Sequence, residues 1–88
     1  MHYVYILRGN QDGDFYVGYT SDLEARLKLH HSGRVPSTRG RRPLQLLYYE
    51  ACLNEEDALH RERYLKSTYG KRYIKNRIRR FLKSDEET

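Results

Sequence analysis

Residues 2–18 read HYVYILRGNQDGDFYVG, and this stretch predicts a β-hairpin. β-Branched and aromatic side chains dominate residues 2–7 and return at 15–17, as is typical of strands. Between the two runs lies a dense turn signal, formed by Gly9, Asn10, Asp12 and Gly13. The stretch therefore predicts two antiparallel strands, the second of which ends near Gly18.

A helix is predicted to follow the hairpin, because Ser21 and Glu24 have the spacing of a capping box. This helix is expected to end near Ser32 and Gly33. Residues 32–43 are rich in Gly, Pro, Ser and Arg and predict an exposed basic loop. The leucines and tyrosines that follow predict a third strand.

Two further helices are predicted in the second half of the chain. Asn54 is expected to cap the first, whose opening turn is acidic. This helix is expected to run to about Ser67 or Tyr69, before Gly70 breaks it. A rough apolar stripe from Tyr73 to Leu82 predicts the last helix. The predicted order β-β-α-β-α-α belongs to the α/β (α+β) class, with a three-stranded antiparallel sheet flanked by helices.

Length and composition favour one domain. The 88 residues, 38% of them hydrophobic, are enough for a single core. We assign residues 1–83 to this domain and expect the acidic segment 84–88 to be a frayed tail. The single cysteine, Cys52, is expected to be buried and fits a reducing compartment. Because the sequence has no secretory signal and no apolar span, we predict a cytoplasmic protein without membrane contact.

The charge balance favours an anionic partner. Lys and Arg number 17 against 12 Asp and Glu, which gives a net charge of +5. Three of the acids fall in the expected tail, so the folded body is more basic than the total. A basic surface on a small domain favours the binding of nucleic acid. In many proteins, however, such a surface only keeps the protein soluble.

Two predicted helices carry polar residues where apolar ones are expected. On the later helix, Glu62 falls between Ala58 and Leu65. On the earlier helix, Arg26 and His30 lie one turn apart beside two leucines. Taken singly, each residue has an ordinary structural explanation. Glu62 could form an ion pair with an arginine, Arg26 could extend its guanidinium to solvent from the edge of the core, and His30 could hydrogen-bond to a backbone carbonyl. Together, a hard oxygen ligand, a cation and an imidazole suit phosphate chemistry.

The tripeptides Tyr3-Val4-Tyr5 and Tyr16-Val17-Gly18 lie on the paired strands and are followed by Arg26, His30 and Glu62. This pattern resembles the GIY-YIG nuclease superfamily, and within it the small single-domain bacterial members. The resemblance covers nearly the whole chain. One departure is Tyr3, which stands where the name-giving motif has glycine.

The resemblance implies a metal-dependent endonuclease that acts on nucleic acid, with DNA favoured over RNA and a role in repair or recombination. It implies a catalytic set of Tyr5, Tyr16, Arg26, His30 and Glu62. Glu62 would hold one Mg²⁺ or Mn²⁺ ion. Tyr16 is the candidate general base, directly or through Tyr5 and His30, although a free phenol titrates near pH ~10. Arg26 would stabilise the charge of the transition state.

Further residues are predicted to bind the substrate. Gly18 is expected to admit a close backbone approach. The other predicted substrate-binding residues are basic, namely Arg34, Arg39, Arg41, Arg42 and Lys66. A solvated surface explains these basic residues equally well. Asn76 projects away from the apolar stripe and is left outside the predicted site.

Two other classes of function remain open at this stage. A noncatalytic nucleic-acid-binding module would keep the fold and the basic face, because a fold alone does not fix a function. An adaptor docked on a larger repair or mobile-element complex would expose a long apolar patch. The complete catalytic set argues against the noncatalytic module, and the adaptor stays open. The sequence contains no added recognition module, so no sequence specificity is predicted, and both monomer and dimer are compatible with it.

Overall fold

Three strands and five helices make up residues 1–87, the part of the chain that the computed structural model describes. In chain order they are β1 (His2–Gly9), β2 (Phe15–Thr20), α1 (Leu23–His31), α2 (Pro36–Arg39), β3 (Leu44–Cys52), α3 (Glu55–Lys66), α4 (Thr68–Arg77) and α5 (Arg79–Glu87). None of the described helices is long and apolar enough to cross a membrane.

β1 is the central strand of an antiparallel sheet with the order β2-β1-β3. At the middle of β1, Tyr5 is paired with Gly18 on β2 and with Tyr49 on β3. The predicted hairpin and the three-stranded antiparallel sheet of an α+β fold are thus confirmed. Cys52, at the end of the edge strand β3, is half-buried rather than buried as predicted.

The two faces of the sheet hold different clusters. Val4 and Ile6 of β1 pack in the larger cluster, which includes Leu65 of α3 and Ile74 of α4. Tyr5 and Leu7 point to the opposite face, where they pack with the leucines of α1. This follows from the alternation of side chains along a strand. Tyr5 therefore lies on the α1 face of the sheet.

Side-chain caps start α1 and α3. Asp22 caps α1, because its carboxylate accepts a hydrogen bond from the backbone N–H of Ala25. The predicted cap was Ser21, one residue too early. Asn54 caps α3 as predicted, accepting from the backbone N–H of Asp57. Each cap satisfies one amide group that the first helical turn leaves without a partner.

α3 ends at Lys66, close to the predicted end at Ser67 or Tyr69, but the break lies at Ser67 and not at Gly70 as predicted. The hydroxyl of Ser67 accepts from the backbone N–H of Gly70 and caps α4. Gly70 itself lies in the first turn of α4, where a Cβ would overlap the carbonyl oxygen of Tyr64. The glycine serves a close approach between two helices rather than a helix end.

The predicted last helix is divided in two. α4 ends at Arg77 and α5 begins at Arg79, and the intervening Ile78 has φ −109° and ψ 22°, outside the helical range. Ile78 is itself buried in the larger cluster. The apolar stripe thus identified Ile74 and Ile78 as core residues, whereas Tyr73 and Phe81 are exposed. It did not predict the interruption of the helix at Ile78.

The expected frayed tail over residues 84–88 also differs from the structure. Residues 84–87 continue α5, and position 88 lies outside the described residues. The carboxylate of Asp85 accepts from the guanidinium of Arg8 at 2.5 Å and from the amide of Gln45 at 3.1 Å. Since Arg8 and Gln45 are paired on β1 and β3, these bonds fasten α5 to the sheet.

Candidate active site

A buried chain of side chains joins β1, α1 and α2. The hydroxyl of Tyr5 lies 2.7 Å from Nε2 of His30, and Nδ1 of His30 lies 2.8 Å from Oγ1 of Thr38. None of the three residues is more than 1% exposed. Buried polar groups are stable only with partners, and each polar group of this chain is the partner of the next.

The donor and acceptor roles in these hydrogen bonds follow from Thr38, the member farthest from Tyr5. Oγ1 of Thr38 donates to the carbonyl oxygen of Val35 at 3.4 Å. Oγ1 then accepts from Nδ1–H of His30, which leaves Nε2 of the neutral imidazole as an acceptor. The hydroxyl of Tyr5 therefore donates to Nε2. This tautomer satisfies every group in the chain.

His30 is held in its neutral form. Burial, together with the positive charges of Arg26 and His31, lowers the pKa of His30 to about 4. At neutral pH the imidazole is therefore uncharged and can accept from Tyr5. The prediction placed His30 on the inward face of α1, and the structure places it there, fully buried.

Three other predicted site residues influence the ionisation of the Tyr5 hydroxyl. Burial raises the pKa of Tyr5, and the neighbouring Tyr16 and Glu62 raise it further, while the guanidinium of Arg26 opposes them. Tyr5 consequently stays protonated at neutral pH. Arg26 of α1 and Glu62 of α3 thus act electrostatically on the same phenol, in opposite directions.

Tyr16 is the more open of the two motif tyrosines. Its ring centroid lies 6.3 Å from that of Tyr5 and 5.2 Å from that of His30, and the three rings pack together. Tyr16 is half-buried, whereas Tyr5 is only 1% exposed. Of these two phenols, only that of Tyr16 keeps substantial contact with solvent.

Gly18 makes room for the ring of Tyr5. The two residues are paired across β1 and β2, and a Cβ at position 18 would overlap Cζ and the hydroxyl of Tyr5. Gly18 is itself buried. The close approach expected at this glycine is therefore made by Tyr5, and a contact of Gly18 with the substrate stays a prediction.

Glu62 interrupts the buried stripe of α3, as its position in the sequence indicated. Its neighbours Ala58 and Leu65 are fully buried, while its own side chain is 19% exposed and lies 3.2 Å from Nζ of Lys66. Within residues 1–87, no three His, Cys, Asp or Glu residues cluster as a metal site. A single carboxylate fits Mg²⁺ or Mn²⁺, which keep several waters, better than a zinc or calcium cage.

The predicted basic residues of the loop fall into two groups. Arg41 pairs with Asp12 at 3.0 Å, and Arg42 donates to the carbonyl oxygen of Arg39 at 3.0 Å. Arg34 and Arg39 are exposed, and neither side chain has a hydrogen bond or ion pair within the described part of the chain. Arg41 and Arg42 therefore hold the loop in place, and Arg34 and Arg39 are its open cations.

Thr38 is the member of the buried chain that sequence reasoning missed. It lies in α2, inside the segment predicted to be an exposed loop, yet it is fully buried. The one local signal was Pro36, since proline favours the first position of a helix. The burial of Thr38 depends on His30, which no local pattern connects to it.

Comparisons with known proteins show similarity over most of the chain. Residues 1–76 match the family model described as the GIY-YIG catalytic domain, a range that includes all five predicted catalytic residues. The chain is 45% identical over 62 residues to a UPF0213 protein of Oceanobacillus iheyensis, covering 69% of this chain and 71% of the relative. It is 45% identical over 67 residues to one of Clostridium perfringens, covering 75% and 71%.

A solved structure is also similar. The solution NMR structure of a UPF0213 protein from Bacillus halodurans matches with a TM-score of 0.54 and 41% sequence identity. The match covers 83% of this chain and 80% of that chain.

Proposed function

The chain belongs to the GIY-YIG family of nuclease domains, and on this premise we propose that it is a metal-dependent endonuclease that hydrolyses phosphodiester bonds, preferentially in DNA. Family membership supports a nuclease-type function. The observation that carries the finer proposal is the surroundings of the Tyr5 hydroxyl. A second phenol, a guanidinium and a carboxylate, from Tyr16, Arg26 and Glu62, all act on it.

Tyr16 is the proposed general base. Hydrolysis requires a group that takes a proton from the attacking water. Tyr5 is unsuited to this step, because its hydroxyl already donates to His30 and its pKa is raised by burial. Tyr16 remains open to solvent and packs against both rings. In this proposal Tyr5 and His30 are positioning residues that fix the ring of Tyr16.

Arg26 is proposed to contact the scissile phosphate. The guanidinium is half-buried on α1 and opposes the rise in the pKa of Tyr5, which supports a position beside the two phenols. A planar guanidinium matches two phosphate oxygens at once. The charge that gathers on these oxygens in the transition state is then stabilised more than the ground state is.

Glu62 is proposed to hold one Mg²⁺ or Mn²⁺ ion. Divalent metals are the usual cofactors of nucleases in this family. When bound, such an ion polarises the phosphoryl group and assists the departing oxygen. Lys66, 3.2 Å from Glu62, adds a cation on the same side of α3 and is proposed to bind a neighbouring phosphate.

A panel of labelled flap, branched, single-stranded and duplex DNA and RNA, incubated with Mg²⁺, Mn²⁺ or EDTA, tests this function. We expect metal-dependent cleavage of at least one DNA substrate, and loss of that cleavage in Tyr16→Phe. Tyr49→Phe is the matched control, because Tyr49 is exposed on the edge strand β3. If the protein binds these substrates and cleaves none of them, the nuclease proposal is replaced by that of a noncatalytic nucleic-acid-binding module.

A further inference from the structure

The helices α3 and α4 follow the edge strand β2 from one end to the other. Near the end of β2, the hydroxyl of Tyr19 donates to Glu55, in the first turn of α3, at 3.3 Å. At the start of β2, Nζ of Lys75 in α4 lies 5.4 Å from the ring of Phe15. Glu62 lies on α3 between these two points. The surface of α4 is thus continuous with that of α3, the helix that carries the proposed metal ligand Glu62.

The exposed side of α4 is basic. Four of its residues, which we call the α4 basic face, line an open depression of about 380 Å³, and they are Thr68, Lys71, Arg72 and Lys75. All four are exposed. Their spacing places them on one side of a helix. α4 contains no Asp or Glu along its whole length.

The three cations of the α4 basic face have no ion-pair partner within residues 1–87, although Lys71 and Lys75 line a second depression together with Asp12 and Asp14. Among the described side chains, none of the three cations takes part in an ion pair. Two lie over aromatic rings instead, since Arg72 is 6.0 Å from the ring of Tyr69 and Lys75 is near that of Phe15. Such rings hold a cation without removing its charge. An ordinary solvated helix face intersperses acids with its bases, and this one does not.

Lys66 connects this face to the active site. It ends α3 beside Glu62, and only Ser67 separates it from Thr68, the first residue of α4. Lys71 and Lys75 are four residues apart, about 6 Å along the helix axis. A row of cations that starts at a phosphate-cleaving centre suits a strand with one phosphate after another.

We propose that the α4 basic face binds the phosphates of the nucleic-acid strand that flanks the cleavage point. The strand would leave the active site past Lys66 and lie across Lys71 and Lys75. The hydroxyl of Thr68 would donate to a phosphate oxygen at the start of this path. The inference rests on the proposed nuclease function and adds to it the direction in which the substrate extends.

The salt dependence of DNA binding tests the inference. Binding of a fluorescein-labelled single-stranded DNA is measured in EDTA over a series of KCl concentrations, for wild type and for Lys71→Ala/Lys75→Ala. Each phosphate contact contributes about 0.7 to the slope of log K against log salt, so the double variant should lose about 1.4. Lys28→Ala/Lys83→Ala removes the same charge from exposed positions on other helices and should keep the wild-type slope.

The outcomes separate this inference from the nuclease proposal. Equal slopes for the two double variants would overturn the inference. So would a loss of binding to phosphatidylserine vesicles with an unchanged DNA slope, because the face would then bind a membrane. If wild type cleaves no substrate at all, the nuclease proposal fails while the slopes still decide whether α4 binds DNA.

Discussion

The hydroxyl of Tyr5 donates a 2.7 Å hydrogen bond to Nε2 of His30, and both side chains are buried. This bond fixes the centre of the sheet to α1, and Thr38 extends it to α2. It makes the two motif tyrosines unequal, because Tyr5 is held protonated while Tyr16 stays open to solvent. Different roles for the two phenols follow from this inequality.

Thr38→Val should destabilise the domain although it preserves the shape of the side chain. The change leaves Nδ1–H of His30 buried without an acceptor. An unsatisfied buried donor costs about 1–3 kcal/mol, and the free energy of unfolding, measured in urea, should fall by this amount. Ser37→Ala, at an exposed position of the same short helix, should have little effect. Equal stability of Thr38→Val and wild type would show that the hydrogen bond contributes nothing.

His30 should make stability depend on pH in a defined window. Its pKa is lowered from 6.5 to about 4, so between these values the unfolded chain binds more protons than the native one. The stability that neutral His30 contributes is complete above about pH 6.5 and is lost as the pH falls towards 4. The difference in unfolding free energy between wild type and His30→Gln should therefore shrink over this window.

Urea titrations of wild type and His30→Gln across this range measure that difference. His31→Gln is the control, because His31 is exposed on the same helix. A difference between wild type and His30→Gln that stays constant with pH would mean that His30 is not held neutral by burial.

Gly18→Ala should disturb the site although it adds only a methyl group. The new Cβ would overlap the ring of Tyr5, which cannot move away without breaking its bond to His30. Overpacking of this kind costs about 1–3 kcal/mol. Gly40→Ala is the matched control, since a Cβ there has nothing within 4 Å. If urea midpoints show the two variants to be equally stable, the packing of Tyr5 on Gly18 is not tight.

Arg26→Ala should impair chemistry more than binding. A donor that meets charge developing in the transition state is worth about 3 kcal/mol, so single-turnover cleavage should slow by roughly a hundredfold. Substrate affinity should change only a few-fold. Lys28→Ala removes an exposed cation from the same helix and should leave the rate unchanged. Loss of affinity with a wild-type rate at saturation would make Arg26 a contact to flanking phosphate.

Local patterns in the sequence were enough to predict much of the fold. The hairpin turn before Phe15 and the cap at Asn54 depend on neighbouring residues, and both are confirmed. Glu62 stood out because it interrupts a helical stripe, and the structure places it between two buried residues. Patterns of this kind identify which residues face inward.

Contacts between distant segments could not be predicted in this way. Gly70 was interpreted as a helix breaker because its true partner, the backbone at Tyr64, is met only when α3 and α4 pack. Thr38 was assigned to an exposed loop because its burial requires His30 on another helix. For the same reason the sequence did not predict that the ring of Tyr5, on the paired strand, occupies the space beside Gly18.

The single-turnover rate of DNA cleavage in Mg²⁺, compared between wild type and Glu62→Gln, tests the central claim most directly. The substitution keeps the size of the side chain and removes the charge that would hold the ion. We expect cleavage by wild type that EDTA abolishes, and a rate reduced at least about a hundredfold in Glu62→Gln, with DNA binding and the urea midpoint unchanged. Glu56→Gln, exposed on the same helix, should cleave like wild type. Equal rates for wild type and Glu62→Gln would contradict the account.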